Sequence, residues 1–384
     1  MRRRETVFRI VAVLIGVAVP VALVEGLGAL ALAWDRHRHD AEMPDDVRAS
    51  VNREDHHIPT EPDPYLGFRV APGITRERVQ TNAWGLRHGP ISRAPEAGTL
   101  RILFLGGSVA WGYESHSNED TIPAYLQQEL SRRAREVPAL RGRRIEVLNA
   151  GAPAYVSWQE ALLYAIRLRE LSPRWIFALD GTNDVASAII NGETGIPQRF
   201  RAARTAYSAR PPTPWQALGP WILEGARDLK AAKAIARLFP KSVADLGAPE
   251  PGRVAADLAA AAAFLTAAAR SDGAEVVTVL QPMVILPDRK PLTAFEERIV
   301  GEFEHRIPGR NAYYAESYAR MREHLGALAA AESGYRWIDA TEAFLGVADP
   351  TYTDDCHLTP LGRRKLAEHI ADAWIASLAS EEGS

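Results

Sequence analysis

The chain has 384 residues, of which 47% are hydrophobic and 24% are charged, and its formal net charge is −3 at pH 7. This composition is typical of a globular protein and excludes a collagen-like or wholly disordered chain. The charge provides no overall basic surface, so we expect no nucleic-acid partner. A single cysteine, Cys356, excludes an internal disulfide and a zinc site of the CxxC type.

The N-terminus combines a basic cluster with a long apolar run. Four arginines precede an apolar stretch from Ile10 to Ala33, which Glu25 interrupts near its outer end. As a helix this stretch would be about 36 Å long, enough to cross a hydrocarbon core of roughly 30 Å. The basic residues favour the cytoplasmic side, so residues 1–34 predict a single-pass membrane anchor with the rest of the chain periplasmic or extracellular. The alternative is a secreted protein, because residues 31–33 (ALA) resemble a signal-peptide cleavage site.

Residues 35–98 read as a separate connecting region. The part up to about Pro62 is polar, with mixed charges and four histidines, and is interpreted as a solvated stalk. A metal site at these histidines is disfavoured, because no carboxylate or cysteine pattern accompanies them. Pro and Gly punctuation with short strand-like runs then predicts a small extended segment before the main domain.

From residue 99 to the end, short apolar strands alternate with helices. The predicted strands cover residues 101–105, 145–148, 175–179, 275–280 and 335–338. The predicted helices cover residues 118–137, 157–171, 253–270, 312–331 and the stretch from Thr359-Pro360 onward, and Ser157 with Glu160 suggests a capping box. This alternation predicts a parallel sheet covered by helices on both faces, with ligands at the carboxyl ends of the strands.

Two insertions interrupt this alternation, near residues 187–252 and 282–310. Within residues 191–241 there are nine Lys or Arg and three Asp or Glu residues, a local net charge of +6. One interpretation is a lid that contacts an anionic glycan or the membrane surface. The other, slightly favoured, is a solvated helical cap.

Polar blocks follow three predicted strands and precede the last helix. They are Gly106-Gly107-Ser108, Asn149-Ala150-Gly151, Gly181-Thr182-Asn183-Asp184 and Asp354-Asp355-Cys356-His357. Each block alone could be a turn or a helix cap. Together they supply a nucleophile, a base, a carboxylate and hydrogen-bond donors at one edge of the sheet.

These blocks, read as GGSVAWG, NAGAPAY, GTND and DDCHLTPLG, resemble in order and spacing the SGNH (GDSL-type) hydrolase superfamily, over roughly residues 100–378. The resemblance implies an SGNH hydrolase fold for residues 99–384: a flavodoxin-like three-layer α/β sandwich with a five-stranded parallel sheet. The chain departs from the family where Gly107 takes the place of an aspartate that is often found before the serine. Asp355 beside Asp354 also leaves the identity of the carboxylate ambiguous.

The resemblance also implies roles for individual residues. Ser108 would be the nucleophile, His357 the base and later the acid, and Asp354 the group that orients the imidazole. The N–H groups of Ser108 and Gly151, with the side-chain amide of Asn183, would form the oxyanion hole. No metal or organic cofactor is implied.

Other candidates are weaker. Cys356 adjoins His357, but side chains of adjacent residues diverge, so an incidental thiol is the better interpretation. An α/β-hydrolase elbow is rejected, because Ser108 follows the first predicted strand and Asp354 shares a loop with His357. The run TNAWGLR is similar to a segment that precedes the catalytic domain in some membrane-anchored relatives; it is interpreted as a turn, with Arg87 a remote candidate for substrate contact.

The sequence therefore predicts a membrane-anchored, outward-facing serine esterase that acts on an O-acylated glycan or lipid, the substrate resting on location and family analogy alone. One alternative is an O-acyltransferase that uses the same three residues and needs an acyl donor or a partner protein. A second alternative is a non-catalytic, anchored binding module.

Overall fold

The computed structural model describes residues 2–50, 58–198 and 229–382. It contains two compact units, one of residues 1–44 with 201–241 and one of residues 45–200 with 242–384. The second unit carries all the polar blocks singled out in the sequence.

The core of the larger unit is a fully parallel, five-stranded sheet. The strands of the described chain are β1 (Thr60–Asp63), β2 (Gly67–Val70), β3 (Thr99–Gly106), β4 (Arg144–Asn149), β5 (Trp175–Asp180), β6 (Glu275–Leu280) and β7 (Tyr335–Asp339). The last five form the sheet, in the order β4-β3-β5-β6-β7. Each predicted strand of the sheet is confirmed to within two residues at either end. The order is that of flavodoxin-like folds, and it reverses between β3 and β5, where such folds bind their ligands.

Helices cover both faces of the sheet. They are α1 (Arg2–Glu42), α2 (Asp45–Ser50), α3 (Ser108–Trp111), α4 (Ile122–Arg133), α5 (Ser157–Leu163), α6 (Thr182–Asn191), α7 (Lys230–Leu238), α8 (Pro251–Ser271), α9 (Ala294–Arg306), α10 (Arg310–Ala331) and α11 (Pro360–Glu382). Helices α4 and α11 cover one face, whereas α5, α8 and α10 cover the other. Trp374 of α11 packs edge-on against Trp175 and Phe177 of β5, at ring-centroid distances of 5.2 and 5.5 Å. The predicted three-layer α/β fold is confirmed.

Two helix N-termini are capped differently from the prediction. The helix predicted from residue 118 begins at Ile122, because the Thr121 side chain accepts a hydrogen bond from Ala124 N and caps it there. The capping box predicted at Ser157 and Glu160 is wrong. Ser157 lies inside α5, and its hydroxyl donates to the buried carboxylate of Asp184 at 2.7 Å. That carboxylate is inaccessible to water, so it takes the serine donor.

The domain boundary predicted at residues 98 and 99 is wrong, because residues 45–98 belong to the same compact unit as the sheet. Strands β1 and β2 form an antiparallel hairpin. Its backbone carbonyls accept hydrogen bonds from the main domain: Tyr155 Oη donates to Phe68 O, and Gln159 Nε2 donates to Leu66 O at 2.8 Å. The predicted extended segment is therefore an integral part of the larger unit.

In the smaller unit, α1 runs through the predicted membrane segment, although the side chains of residues 2–15 lie outside the described residues. Glu25 accepts hydrogen bonds from Lys230 N at 2.7 Å and Ala231 N at 2.9 Å, and so caps α7. Residues 199–228, most of the basic insertion, also lie outside the described residues.

Among the described residues, α8 is the helix that is long and apolar enough to cross a membrane, with a mean hydropathy of 1.3 over its most apolar window. It packs against α5 and α10 within the larger unit. A core helix meets the same criterion of length and composition, and this packing identifies α8 as one.

Candidate active site

The candidate nucleophile lies on a tight turn between β3 and α3. Gly106 has a φ of 148° and Gly107 follows it before α3 begins at Ser108. A Cβ atom at Gly106 would lie 2.5 Å from Ala110 Cβ, and one at Gly107 would lie 2.1 Å from Asn183 Nδ2. Both glycines are therefore needed for close packing. The side chain that the family often carries at the position of Gly107 would collide here with the amide of Asn183.

Ser108, His357 and Asp354 form a continuous hydrogen-bonded chain. His357 Nε2 lies 2.8 Å from Ser108 Oγ, and His357 Nδ1 lies 2.6 Å from Asp354 Oδ2. The other oxygen of Asp354 accepts from the backbone N–H groups of Cys356 at 2.9 Å and His357 at 2.7 Å. The carboxylate that binds the imidazole is thus Asp354, and no hydrogen bond joins Asp355 to His357.

The imidazole and the carboxylate shift each other's pKa in opposite directions. Burial lowers the pKa of His357, but the adjacent carboxylate of Asp354 outweighs it and raises that pKa well above its ordinary value. Burial raises the pKa of Asp354, but His357 and the backbone N–H groups outweigh it and hold that pKa below its usual range. The Asp354 carboxylate therefore stabilises the imidazolium that forms when His357 takes up a proton.

Gly151 has a packing role, which contradicts its predicted place in the oxyanion hole. Its N–H donates to Asn149 Oδ1 at 3.0 Å, and a Cβ at this position would lie 2.3 Å from Trp111 N. The backbone passes against α3 too closely for any side chain. The N–H is engaged in the loop and is not available to a substrate oxygen.

The loop after β4 contains a second candidate donor, Ala154. Ala154 has a φ of 62°, which is uncommon for a residue with a side chain. The next residue, Tyr155, accepts a hydrogen bond from Asn183 Nδ2 at 2.8 Å through its carbonyl. Among the described residues, none accepts a hydrogen bond from the N–H of Ala154. Sequence reasoning missed this position because a left-handed turn is ordinarily signalled by glycine.

Arg87 is not placed to contact a substrate, which contradicts that prediction. Arg87 is only 2% exposed. Its Nη1 donates to the carbonyl oxygens of Trp111 and Gly112 at 2.9 and 2.8 Å. The guanidinium is thus bound to the protein's own backbone at the end of α3.

Three carboxyl groups lie buried behind the turn that carries Asn183. They belong to Glu160, Asp180 and Asp184, on α5, β5 and α6. Burial raises the pKa of Glu160 and of Asp180 well above their ordinary values, and the charge of Asp180 adds to the shift at Glu160. Burial also raises the pKa of Asp184 to about 6, against the lowering effect of donors that include Ser157. Sequence reasoning placed Glu160 at a helix cap and missed this cluster.

Tyr113 is a further residue that the sequence did not indicate. Its ring lies 4.5 Å, centroid to centroid, from the imidazole of His357. It follows the nucleophile by five positions, and only the turn after α3 brings it over the histidine.

Asp354, Cys356 and His357 are the one group of possible metal ligands found among the described residues, with ligand atoms within 4.8 Å of one another. The geometry fits a metal poorly, because both ring nitrogens of His357 face protein partners. Burial raises the pKa of the Cys356 thiol to about 12, so the thiol stays protonated at neutral pH and is a poor ligand and a poor nucleophile.

The flavodoxin-like sheet and the serine, histidine and aspartate at its switch point define the class: a hydrolase with a flavodoxin-like fold that acts on esters. The sequence model of the GDSL-like lipase/acylhydrolase family matches residues 104–300, slightly more than half of the chain. The chain belongs to this family, as the four sequence blocks predict. No curated protein matches the chain.

Solved structures with a related chain trace include a GDSL-like lipase from Bacteroides thetaiotaomicron, at 13% identity and a TM-score of 0.37, covering 75% of this chain and 93% of that chain. Another is a catalytic mutant of an acetylxylan esterase from Geobacillus stearothermophilus, at 12% identity and a TM-score of 0.38, covering 72% of this chain and 94% of that chain. At these values neither structure bears on the substrate of this chain, and the family rests on the matched residues.

Proposed function

We propose that this protein is a membrane-anchored serine esterase that faces away from the cytoplasm and removes acyl groups from an O-acylated glycan or lipid. The observation that carries the catalytic part is the chain of two short contacts from Ser108 through His357 to Asp354. Residues 10–33 and the preceding arginines support the location. The substrate class follows from that location.

The geometry supports a two-step acyl transfer to water. His357 Nε2 takes the proton of Ser108 Oγ as that oxygen bonds to the ester carbonyl carbon. The imidazolium, stabilised by Asp354, then gives the proton to the departing alcohol oxygen, which leaves an acyl group on Ser108. Water adds to this acyl group by the same steps, and the carboxylic acid is released.

The developing oxyanion needs fixed donors beside Ser108. We assign the N–H groups of Ser108 and Ala154 and the second N–H of the Asn183 amide, whose first N–H is held by Tyr155 O. Ala154 takes the place of Gly151 in this assignment, because the N–H of Gly151 is bound to Asn149. Each such donor is worth roughly 3–4 kcal/mol of transition-state stabilisation.

The test uses the full chain in detergent with p-nitrophenyl acetate and longer esters, with and without a sugar acceptor. Ser108→Ala is expected to lower kcat at least about 10³-fold, because the nucleophile is removed. The matched control is Ser271→Ala, at the end of α8, whose hydroxyl donates to Ala268 O. It should hydrolyse esters and react with a fluorophosphonate probe as wild type does.

Equal hydrolysis by wild type and Ser108→Ala, with no Ser108-dependent probe labelling, would contradict the catalytic proposal. Acylation of the sugar acceptor would favour the O-acyltransferase alternative. The location is tested by the mass of the protein in the membrane fraction: an intact chain supports the anchor, whereas a chain that begins after Ala33 shows signal cleavage.

A further inference from the structure

The guanidinium of Arg87 is bound where the nucleophile helix ends. Nη1 donates to the carbonyl oxygens of Trp111 and Gly112, at the C-terminus of α3. The remaining donors reach three acceptors around the following turn: Arg78 O at 3.1 Å, Ser117 O at 3.1 Å and Asn118 Oδ1 at 3.2 Å. These hydrogen bonds use the five N–H groups that an arginine side chain has.

Only arginine suits this place. The five acceptors are neutral, and they surround a planar group that also lies 5.2 Å from the ring of Trp111. Lysine has three donors on a single nitrogen and could not reach all five acceptors from one position. The helix end is therefore built around the shape of this one side chain.

Asn149, at the end of β4, holds the same helix end from a second direction. Its Nδ2 donates to Trp111 O at 3.3 Å, and its backbone carbonyl accepts from Arg87 N at 2.9 Å. The carbonyl of Trp111 thus receives donors from a strand of the sheet and from the segment that precedes the sheet. Both partners therefore contribute to the position of this end of α3.

We propose that Arg87 is a positioning residue for Ser108, which makes the segment before the sheet a working part of the active site. Helix α3 has four residues, so Ser108 lies about 4.5–6 Å along the helix axis from the residues of the bound carbonyls. A helix this short has little stability of its own and takes its position from its partners. The inference rests on the proposed function to the extent that Ser108 is the nucleophile.

The distance at stake is the 2.8 Å between Ser108 Oγ and His357 Nε2. If the hydrogen bonds from Arg87 to the carbonyls of Trp111 and Gly112 weaken, the contact between Ser108 and His357 lengthens or changes its angle. Proton transfer then slows. Arg87 is not placed to contact a substrate, so substrate binding should change little. The expected signature is a fall in kcat with KM preserved.

The test compares Arg87→Lys with Arg101→Lys in the full chain. Arg101 is a matched control: it is 1% exposed and its guanidinium also binds backbone carbonyls, among them Leu171 O at 2.7 Å, but it lies on β3 near the opposite end of the strand from Ser108. Arg87→Lys should lower kcat for p-nitrophenyl acetate about tenfold or more, with KM within about threefold of wild type. Arg101→Lys should lower the Tm while kcat stays within about twofold.

A second readout does not depend on turnover. The proton between His357 and Asp354 gives a downfield imidazole signal in a proton NMR spectrum, and this signal should shift in Arg87→Lys and not in Arg101→Lys. If Arg87→Lys does not fold, Asn118→Ala, which removes one acceptor of the guanidinium, should show the same changes in smaller measure.

Wild-type kcat and an unchanged imidazole signal in Arg87→Lys would overturn the inference, as would an equal loss of kcat in Arg101→Lys. If wild type neither turns over esters nor reacts with a fluorophosphonate, the proposed function fails. The imidazole signal then still decides whether Arg87 positions the residues around Ser108.

Discussion

At the scale of single residues, the site depends on one carboxylate. Asp354 uses one oxygen to bind two backbone N–H groups and the other to bind the imidazole of His357. This arrangement holds the ring with its Nε2 toward Ser108, and it raises the pKa of His357 against the effect of burial.

Asp354→Asn should therefore lower kcat by about 10³- to 10⁴-fold and shift the pH profile. Hydrolysis needs neutral His357, so activity rises as pH increases through the pKa of that imidazole. Loss of the carboxylate lowers this pKa, and the acidic limb of the kcat/KM profile should move to lower pH. Kinetics across a pH series would measure both effects.

Asp355→Asn is the matched control, because burial raises the pKa of Asp355 to about 6 but its carboxyl group does not bind the imidazole. It should leave the acidic limb close to that of wild type. An equal shift in both variants would mean that general field effects, and not the bond to Asp354, set the pKa of His357.

Substitutions at Gly151 and Ala154, in the loop after β4, should have opposite effects. Gly151→Ala should destabilise the fold by about 1–3 kcal/mol, because the new Cβ would lie 2.3 Å from the backbone of Trp111. Ala154→Gly keeps the N–H and relieves a φ of 62°, so activity should persist and the free energy of unfolding should not fall. Denaturant unfolding with parallel esterase assays measures both. Full stability of Gly151→Ala would contradict the packing role.

The sequence identified Ser108, Asn183, Asp354 and His357, which the structure brings to one edge of the sheet, because each stands in a block that follows a strand or precedes the last helix. It misread Gly151, since a glycine signals either a positive φ or a close approach of two backbones, and only the structure distinguishes them. Arg87 was misread for a similar reason: its partners lie at Trp111 and Gly112, more than twenty residues along the chain.

At the scale of elements, the turn with Asn183 is supported by the buried carboxyl groups of Glu160, Asp180 and Asp184. Burial raises their pKa values above those of the unfolded chain. The folded state therefore keeps protons that the unfolded state releases. The free energy of unfolding is highest below the ordinary carboxyl pKa, and it falls as pH rises through about 6 for Asp184 and higher still for the other two.

Glu160→Gln should reduce the loss of free energy of unfolding that accompanies rising pH. The amide has nearly the same size as the carboxyl group but does not titrate, and each proton removed from the linkage is worth about 1.4 kcal/mol per pH unit over its range. Urea unfolding at about pH 5 and about pH 9 would show a smaller difference in the variant than in wild type. The control is Glu323→Gln on the exposed face of α10, which should behave as wild type. If the free energy of unfolding of Glu160→Gln differs between the two pH values as much as that of wild type, Glu160 is ionised in both the folded and the unfolded state.

At the scale of the whole molecule, the sheet was predictable because its strands are buried apolar runs separated by amphipathic helices, as in β5, where every residue is buried. The segment before the sheet was not predictable. Its carbonyls are satisfied by side chains far along the sequence, such as that of Gln159, which binds Leu66 O across 93 positions. Local composition therefore resembles a linker where the structure has part of the catalytic unit.

Two truncations distinguish a linker from a structural part. A chain of residues 45–384 keeps the whole of the segment that packs with the sheet, so it should retain the kcat of the full chain for p-nitrophenyl acetate. A chain of residues 99–384 loses Arg87 and the β1–β2 hairpin. The carbonyls of Trp111 and Gly112 then lose their hydrogen bonds from Arg87, each worth about 0.5–1.5 kcal/mol, and keep those from Asn149 Nδ2 and Ser115 N.

We expect the shorter chain to lose its reaction with a fluorophosphonate and its near-ultraviolet circular dichroism. The purified catalytic unit is then defined by residue 45 and not by the first strand of the sheet. A chain of residues 99–384 that folds and labels at the rate of the longer chain would show that residues 45–98 are dispensable. It would also contradict the proposal that Arg87 positions Ser108, because α3 would hold Ser108 against His357 without Arg87.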